Sequence, residues 1–460
     1  MSQMTADVVI CGAGIAGVTT AYELVVKRGL RNVVLVDPLP PLTLTSDKSF
    51  EGYRNWWPGP DDVMVSLMNR SIDLLEKLLQ EAPGRLHMNR SGYLFATADP
   101  VKAGQMIASA EESTRLGAGP LRIYHGEGND PTYIPAREHD VFDAPTGADI
   151  FLNQKLIRQY FPFLTDRAIA TVHARRCGWF GAQQFGMYML EQAREHGAQL
   201  LEGKVEAIIV QDGRVSAVEV STPGGALTIS TPVFVNAAGP MQADVARMIG
   251  VELPVFSELH FKVTITDHLR VVPRDMPLLI WQDPVRLQWT DEEREMLAES
   301  EDTRWLVEEL PSGVHGRPEG SGDSDILLMQ YPYHTPPVDA AFPIVQDSEH
   351  PEIVLRGLAT VIPALSKYLE QMPKPFVDGG YYTRTRENRP LVGPLSVAGA
   401  FIFGGIGGFG MQVATGAAEL LAAHITGEAL PHYAPAFRLE RYDDPAYQQL
   451  LTHWGATGQI

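Results

Sequence analysis

Gly12, Gly14 and Gly17 stand in the run Cys11-Gly12-Ala13-Gly14-Ile15-Ala16-Gly17, a spacing suited to holding a pyrophosphate. Each glycine has its own task. Gly12 permits a tight turn, Gly14 lets the backbone come up against phosphate oxygens, and Gly17 lets a helix pack closely on a strand. A helix opening at Ile15 and Ala16 turns free N–H groups and its positive dipole end toward those oxygens. Asp37 closes the apolar run Asn32-Val33-Val34-Leu35-Val36-Asp37, with Pro38 after it, where a ribose needs a hydrogen-bond acceptor. An acid there disfavours a ribose 2′-phosphate, and so NADP.

These residues need elements to hold them. The apolar run Asp7-Val8-Val9-Ile10 reads as a strand leading into the glycines. Val18, Ala21, Leu24 and Val25 follow at helical spacing, and Gly29 ends the helix. Strand, glycine loop, helix, strand and acid make up the full context of a Rossmann dinucleotide site, which the glycines alone would not. Cys11 is expected to be a small buried residue rather than a reactive thiol.

Further along, helices are predicted over residues 61–81, 184–196, 242–249 and 410–425. Strands are predicted over 91–98, 204–210, 215–220, 227–230, 233–236, 256–267, 278–281, 286–289, 326–333 and 400–403. Asp212-Gly213 reads as a hairpin turn. Residues 291–309 read as an acidic helical segment, and residues 353–368 as a helix interrupted by Pro363. Residues 102–166 read as irregular with several short pieces, and the Gly-, Ser- and Asp-rich residues 312–325 as an exposed loop. The fold class is therefore α/β: a Rossmann-type dinucleotide domain assembled from discontinuous segments, with an inserted mixed or antiparallel sheet. The boundaries are residues 1–90, 168–252 and 378–430 for the dinucleotide domain, 91–167 and 253–377 for the inserted substrate domain, and 431–460 for a C-terminal extension.

Composition narrows the function. The 460 residues carry a formal net charge of −19, which repels nucleic-acid phosphates and anionic lipid, so neither nucleic acid nor membrane is expected as a partner. Two cysteines, with no secretion leader before the first strand, suit a reducing cytoplasm. There is no Cys-x-x-Cys or His-x-x-His, and no metal is expected. The apolar residues 400–425 are long enough to span a bilayer. Gln412, Thr415, Glu419 and the glycines between 404 and 410 make them read instead as a buried strand, a glycine turn and a buried helix.

The order of these pieces resembles the D-amino-acid-oxidase-like flavoproteins, in particular the sarcosine oxidase and glycine oxidase branch. The likeness runs through the fingerprint ending at Asp37, the segment 203–210, Val235-Asn236-Ala237-Ala238-Gly239, and Gly404-Gly405-Ile406-Gly407-Gly408-Phe409-Gly410. It implies FAD as the cofactor. Val205 would hold the adenine through its backbone, and Ala238 and Gly239 would pass beside the pyrophosphate and ribose. Lys48 and Ser49 belong to the polar stretch that the family folds over the flavin. Gly405, Ile406, Gly407, Gly408 and Phe409 would meet the flavin ring, and N–H groups at Met411 and Gln412 its pyrimidine oxygens. The position of the family's cysteine tether is Gly380 here, and the polar residues 45–49 contain no histidine, so FAD is expected to be non-covalent.

The family's Gly-His-Gly-Phe-Lys pattern reads Gly408-Phe409-Gly410-Met411-Gln412 in this chain. Gln412 takes the place of the carboxylate-binding lysine, which points away from sarcosine to a larger or less acidic substrate. Arg54 matches the family's other carboxylate contact. Its neighbours Tyr53, Trp56 and Trp57 equally allow a cation–π or ion-pair role. Arg384, Arg386 and Arg389 are further candidates, or else solvated or ion-paired surface. The family's oxygen-activating lysine has no match on residues 326–330, and Lys48 and Lys262 are its substitutes. The function implied is FAD-dependent oxidation of a C–N bond in an amino acid or N-substituted amine by hydride transfer to flavin N5. A small-molecule substrate and O2 or another electron acceptor would be its partners. The alternatives are oxidation of a 2-hydroxy acid or polyol, and a flavoprotein electron-carrier subunit.

Overall fold

Alternating apolar residues along Val8–Cys11 and Val33–Asp37 bury both faces of one sheet. In a computed structural model describing residues 2–136, 141–320, 323–452 and 454, Val8, Ile10, Val33 and Leu35 pack against helices. Val9, Cys11, Val34 and Val36 pack on the opposite side. The sheet has six strands, in the order Gln199–Glu202, Val33–Asp37, Val8–Cys11, Phe234–Asn236, Ala400–Gly404, Leu391–Pro394. All neighbours are parallel except the last pair. Helices Ile15–Tyr22, Val63–Glu81, Ala182–Glu195 and Gly410–Thr426 contribute to the first face's core. Residues of a four-stranded sheet, Ser2–Thr5, Gly225–Ser230, Arg214–Thr222 and Lys204–Gln211, help cover the other. Asp212 and Gly213 form its hairpin turn with φ of +51° and +74°, the paired positive values of a two-residue type I′ turn.

The second sheet has ten strands, mostly antiparallel. Its middle runs Val255–Thr266, Ile326–Gln330, His315–Glu319, Leu278–Trp281, Tyr93–Thr97 and Ala170–Ala174. Phe376–Thr385 lies along the other edge of Val255–Thr266. Ala170–Ala174 and the long strand Phe376–Thr385 come from stretches assigned above to the dinucleotide fold, so the sheet reaches past residues 168 and 378. Residues 433–441 of the C-terminal extension are anchored too. Tyr433, Ala434 and Phe437 join the dinucleotide core, and Arg441 pairs with buried Glu387 at 2.8 Å.

Two expectations are corrected. Residues 102–166 are more regular than expected: beside the short strands Leu121–Tyr124 and Ala148–Phe151 and the short helix Gln154–Tyr160, they contain most of the long helix Pro100–Ser113. Asp99 and Asn153 cap the two helices through their side chains, which are local start signals. Residues 312–325 are not simply an exposed loop. His315–Glu319 is a buried inner strand between Leu278–Trp281 and Ile326–Gln330. The polarity that made it read as a loop is satisfied inside. Arg317, fully buried, pairs with Glu51 at 3.2 Å and Glu319 at 2.7 Å and donates to the Phe50 carbonyl. Residues 286–289 shrink to a short pair of Val285–Arg286 with Glu309–Leu310, and residues 291–309 divide into helix Asp291–Glu299 and a 3-10 turn, Arg304–Val307. Among the described residues no helix is long and apolar enough to cross a membrane.

Candidate active site

The end of the strand Val8–Cys11 meets the end of Phe234–Asn236 at a point where only glycine fits. Gly12 has φ +108°, and a Cβ there would lie 2.3 Å from the Ala237 carbonyl oxygen. A Cβ on Gly17 would lie 1.9 Å from the Gly12 carbonyl oxygen, so the helix sits on the loop with no room for a side chain. Asp37 is held by two backbone donors, the Ala13 N–H at 2.7 Å and the Leu39 N–H at 2.9 Å. Its carboxylate is thus fixed at the mouth of the glycine loop, with Pro38 exposed beside it. The Gly203 N–H donates to the Asp37 carbonyl at 3.0 Å. That bond brings in Lys204–Gln211, an end strand of its sheet, with Val205 buried beside Val36. Cys11 is buried, and burial, with Asp37 adding to it, pushes its thiol up to about 12; it is no nucleophile.

A cleft runs from this loop along the sheet ends. Gly14, Ile15 and Ala16 line it at one side, with Ser46 and Ser49 above. Ala237 and Gly239 lie along it, and Ile406, Gly407, Gly408 and Met411 line its far part. Gly239 has φ +54° and nothing within 4 Å of a built Cβ, as a residue facing open space would; Ala238, its neighbour, is half-buried. The far turn is shaped by Gln242, a residue the sequence did not single out. Its Oε1 accepts the Gly405 N–H at 3.0 Å and would clash at 1.7 Å with a Cβ on Gly404. Gly405 and Gly407 have φ of +62° and +46°, which favours glycine. Phe409 ends the turn, edge-on to Trp57 at 5.1 Å. Ser46 Oγ accepts the Ile15 N–H at 2.9 Å and so places the polar stretch over the helix start.

A second cavity adjoins the cleft, and Tyr382 and Gly408 line both. Arg54 and Gln412 meet at its wall: the Arg54 backbone N–H donates to Gln412 Oε1 at 2.6 Å. The Arg54 guanidinium lies 4.6 Å from the Trp57 ring and 5.8 Å from that of Tyr93, and burial pulls its pKa down. Tyr53 points elsewhere, donating to the Asn89 carbonyl at 2.6 Å. Of the opposite wall only Arg384 was among the candidates. That wall carries Glu258, His260, His315, Gln330 and Arg384. His315 and Gln330 are register partners on adjacent strands, which sets their side chains together. His260 stacks on Tyr382 at 4.2 Å, and Arg384 grips Glu258 at 2.8 and 3.1 Å. Burial lowers His315 to about 4 and His260 as well, although Glu258 opposes the shift at His260. Burial works against the Glu258 charge, but His260 and Arg384 hold the carboxyl below its usual range.

Lys48 lies apart from this wall; Lys262 is the register partner of Gln330 on the neighbouring strand, with its ammonium turned to the polar stretch. Lys48 is bound to Asp47 at 2.7 Å and Asp378 at 3.1 Å; burial works against its charge, but those partners raise its pKa. Lys262 donates to the Asp47 and Ser49 carbonyls at 3.0 and 3.1 Å, and burial lowers it against the pull of Glu51, Asp378 and Asp47. It braces the polar stretch from beneath. Arg386 is exposed, while Arg389 is buried and paired with Asp61. Among the described residues no group of His, Cys, Asp and Glu is arranged to hold a metal ion.

The structure is similar to those of glycine oxidase from Geobacillus kaustophilus (TM-score 0.71, 16% identity, covering 96% of this chain and 99% of that one) and L-proline dehydrogenase from P. horikoshii (0.70, 18%, 96% and 98%). It is also similar to iminodiacetate oxidase from Chelativorans sp. BNC1 (0.67, 19%, 94% and 98%). No curated protein matches the sequence. The sequence profile described as DAO, FAD dependent oxidoreductase, matches residues 7–424, which takes in the glycine loop, both sheets and the far turn. With the glycine cradles that leave a dinucleotide its path and a match over most of its length, the chain belongs to the DAO family of FAD-dependent oxidoreductases.

Proposed function

We propose that this enzyme oxidises the C–N bond of an amino acid or N-substituted amine carrying a carboxylate. The observation that carries this reading is Arg54, buried against Trp57 and lining the cavity that meets the dinucleotide cleft at Tyr382 and Gly408. A guanidinium in that setting offers a carboxylate two parallel hydrogen bonds and a fixed orientation. Similarity to enzymes named for glycine, proline and iminodiacetate supports the same class.

In this reading Gly12, Gly14, Ile15, Ala16 and Gly17 hold the pyrophosphate of FAD and Asp37 the ribose, with Pro38 at the rim. Val205 offers its backbone to the adenine, Ala238 and Gly239 flank the chain of the dinucleotide, and Ser49 covers it. Gly405 to Phe409 and the helix start at Met411 and Gln412 face the ring. FAD, when bound, supplies a two-electron acceptor that takes hydride from the substrate carbon. Arg54 orients that carbon, Gln412 fixes the Arg54 backbone, and the aromatic walls exclude water. Lys48 and Lys262 hold the covering stretch in place, which is how either would influence the reaction with oxygen. Since no tether residue stands at Gly380, acid should release the flavin from the precipitated protein.

The test is anaerobic reduction of the flavin by a panel of amino acids, N-substituted amines, their amides and 2-hydroxy acids. Carboxylate-bearing amines should bleach it fastest. Equal rates with an amine and its amide would overturn the carboxylate reading. A second reading, oxidation of a 2-hydroxy acid, needs a base near the carbon, and His260 and His315 in the wall could supply one; the hydroxy-acid arm decides between them.

A further inference from the structure

Side chains cross the cavity wall in hydrogen-bond order. The Gly313 carbonyl meets His315 Nδ1 at 2.8 Å, and His315 Nε2 meets the Gln330 amide at 3.3 Å. Gln330 reaches His260 Nδ1 at 3.5 Å, and His260 Nε2 meets Glu258 Oε2 at 3.4 Å. Arg384 locks Glu258 from beyond.

Both ends of this chain accept: a backbone carbonyl at one, a carboxylate at the other. Its four links therefore need four protons. A neutral imidazole supplies one donor and one acceptor, and an amide in such a chain does the same. Two neutral histidines and Gln330 supply three. Flipping the amide or changing a tautomer moves the gap from link to link without closing it. Tyr382, whose hydroxyl also meets Gln330, can donate or accept and leaves the count unchanged.

We propose that the His315–Gln330–His260 chain is the proton acceptor of the reaction, taking one proton from the substrate ammonium before hydride leaves the neighbouring carbon. This rests on the amine reading above. In the step an N–H bond of the ammonium breaks, its electron pair stays on nitrogen, and the proton joins an imidazole nitrogen, so no oxidant is consumed. The amine, now neutral, can release hydride from carbon.

The groups facing the chain set its proton affinity. They are Arg54, Tyr93, Glu258, Lys262 (the register partner of Gln330), Tyr382, Arg384 and, from the helix His350–Ala359, His350. Burial holds both imidazoles neutral, and Arg54 further disfavours a proton on His315, while Glu258 favours one on His260. A carboxylate seated on Arg54 cancels that positive charge. Substrate binding thus raises the affinity of the chain for a proton when the ammonium must lose one.

The direct test is a pH titration of 15N-histidine-labelled holoenzyme by NMR. His260 and His315 should titrate together, as one proton shared by a coupled pair, and acetate should raise the midpoint. Gln330→Leu, close in shape, should separate them into two independent profiles. Independent titration in the wild type, or profiles that Gln330→Leu leaves unmoved, would overturn the proposal. In kinetics, Gln330→Leu should slow flavin reduction by the best amine of the panel roughly 100-fold with flavin content kept. Gln330→Glu, which adds an acceptor between the histidines, should move the acid limb of the rate profile to higher pH; an unmoved limb would count against the chain. If the histidines share a proton but no amine reduces the flavin, the chain stands and the amine reading falls. Amine reduction without shared titration gives the reverse result.

Discussion

Along the dinucleotide cleft the chain presents backbone, and in the adjoining cavity it presents side chains. Gly12, Gly14, Gly239, Gly405 and Gly407 shape the first by having nothing to offer but N–H, C=O and space. Arg54, Glu258, His260, His315 and Gln330 shape the second. They come from Gly52–Arg54, Val255–Thr266, His315–Glu319 and Ile326–Gln330, only the last two of which are near each other in the chain. A backbone site tolerates no added atom but depends little on any one functional group. A side-chain site should behave the opposite way, and mutations can separate the two.

Gly12→Val should break the backbone site outright. The new side chain would run into the Ala237 carbonyl in a backbone conformation with φ +108°, a cost on the order of 4 kcal/mol. Flavin content and the thermal unfolding midpoint should both fall, and full occupancy would show that the loop can open. Arg54→Ala should instead leave flavin bound and lower kcat/KM for a carboxylate-bearing amine by roughly 2–4 kcal/mol. Arg54→Lys should recover little of it, because an ammonium cannot reproduce the fork. Parallel loss of flavin would place Arg54 with the cofactor and blur the contrast. Asp37→Ala tests a side chain that belongs to the backbone site. FAD affinity should weaken by about 1–3 kcal/mol with KM unchanged, as read by flavin titration of the apoprotein. The smallest effect is expected at the seam. Trp57 touches Phe409 of the glycine turn on one side and Arg54 on the other. Trp57→Leu should cost about 0.5–1.5 kcal/mol, divided between KM and a shift in the flavin spectrum. A change in only one of the two would mean that the regions are independent.

The same contrast decides what could be read from the chain. The glycine loop, Asp37, the Asp212-Gly213 hairpin and the final strand–turn–helix were legible because each is local: a few consecutive residues carry both the conformation and its chemical reason. Residues 102–166 were misread although Asp99-Pro100 and Asn153 signalled two helix starts. Residues 312–325 were misread because composition cannot tell a solvated polar stretch from an inner strand whose arginine finds Glu51 and Glu319.

By itself, then, the sequence determined the dinucleotide fold and its glycine turns, since steric freedom at glycine and the period of apolar residues are properties of neighbours along the chain. The tertiary structure alone decided the opposite wall. His315 meets Gln330, and His260 meets Tyr382, through strand register and sheet order, while Glu258 joins His260 from two residues back on the same strand. A contact between residues on different strands leaves no mark on the spacing of either.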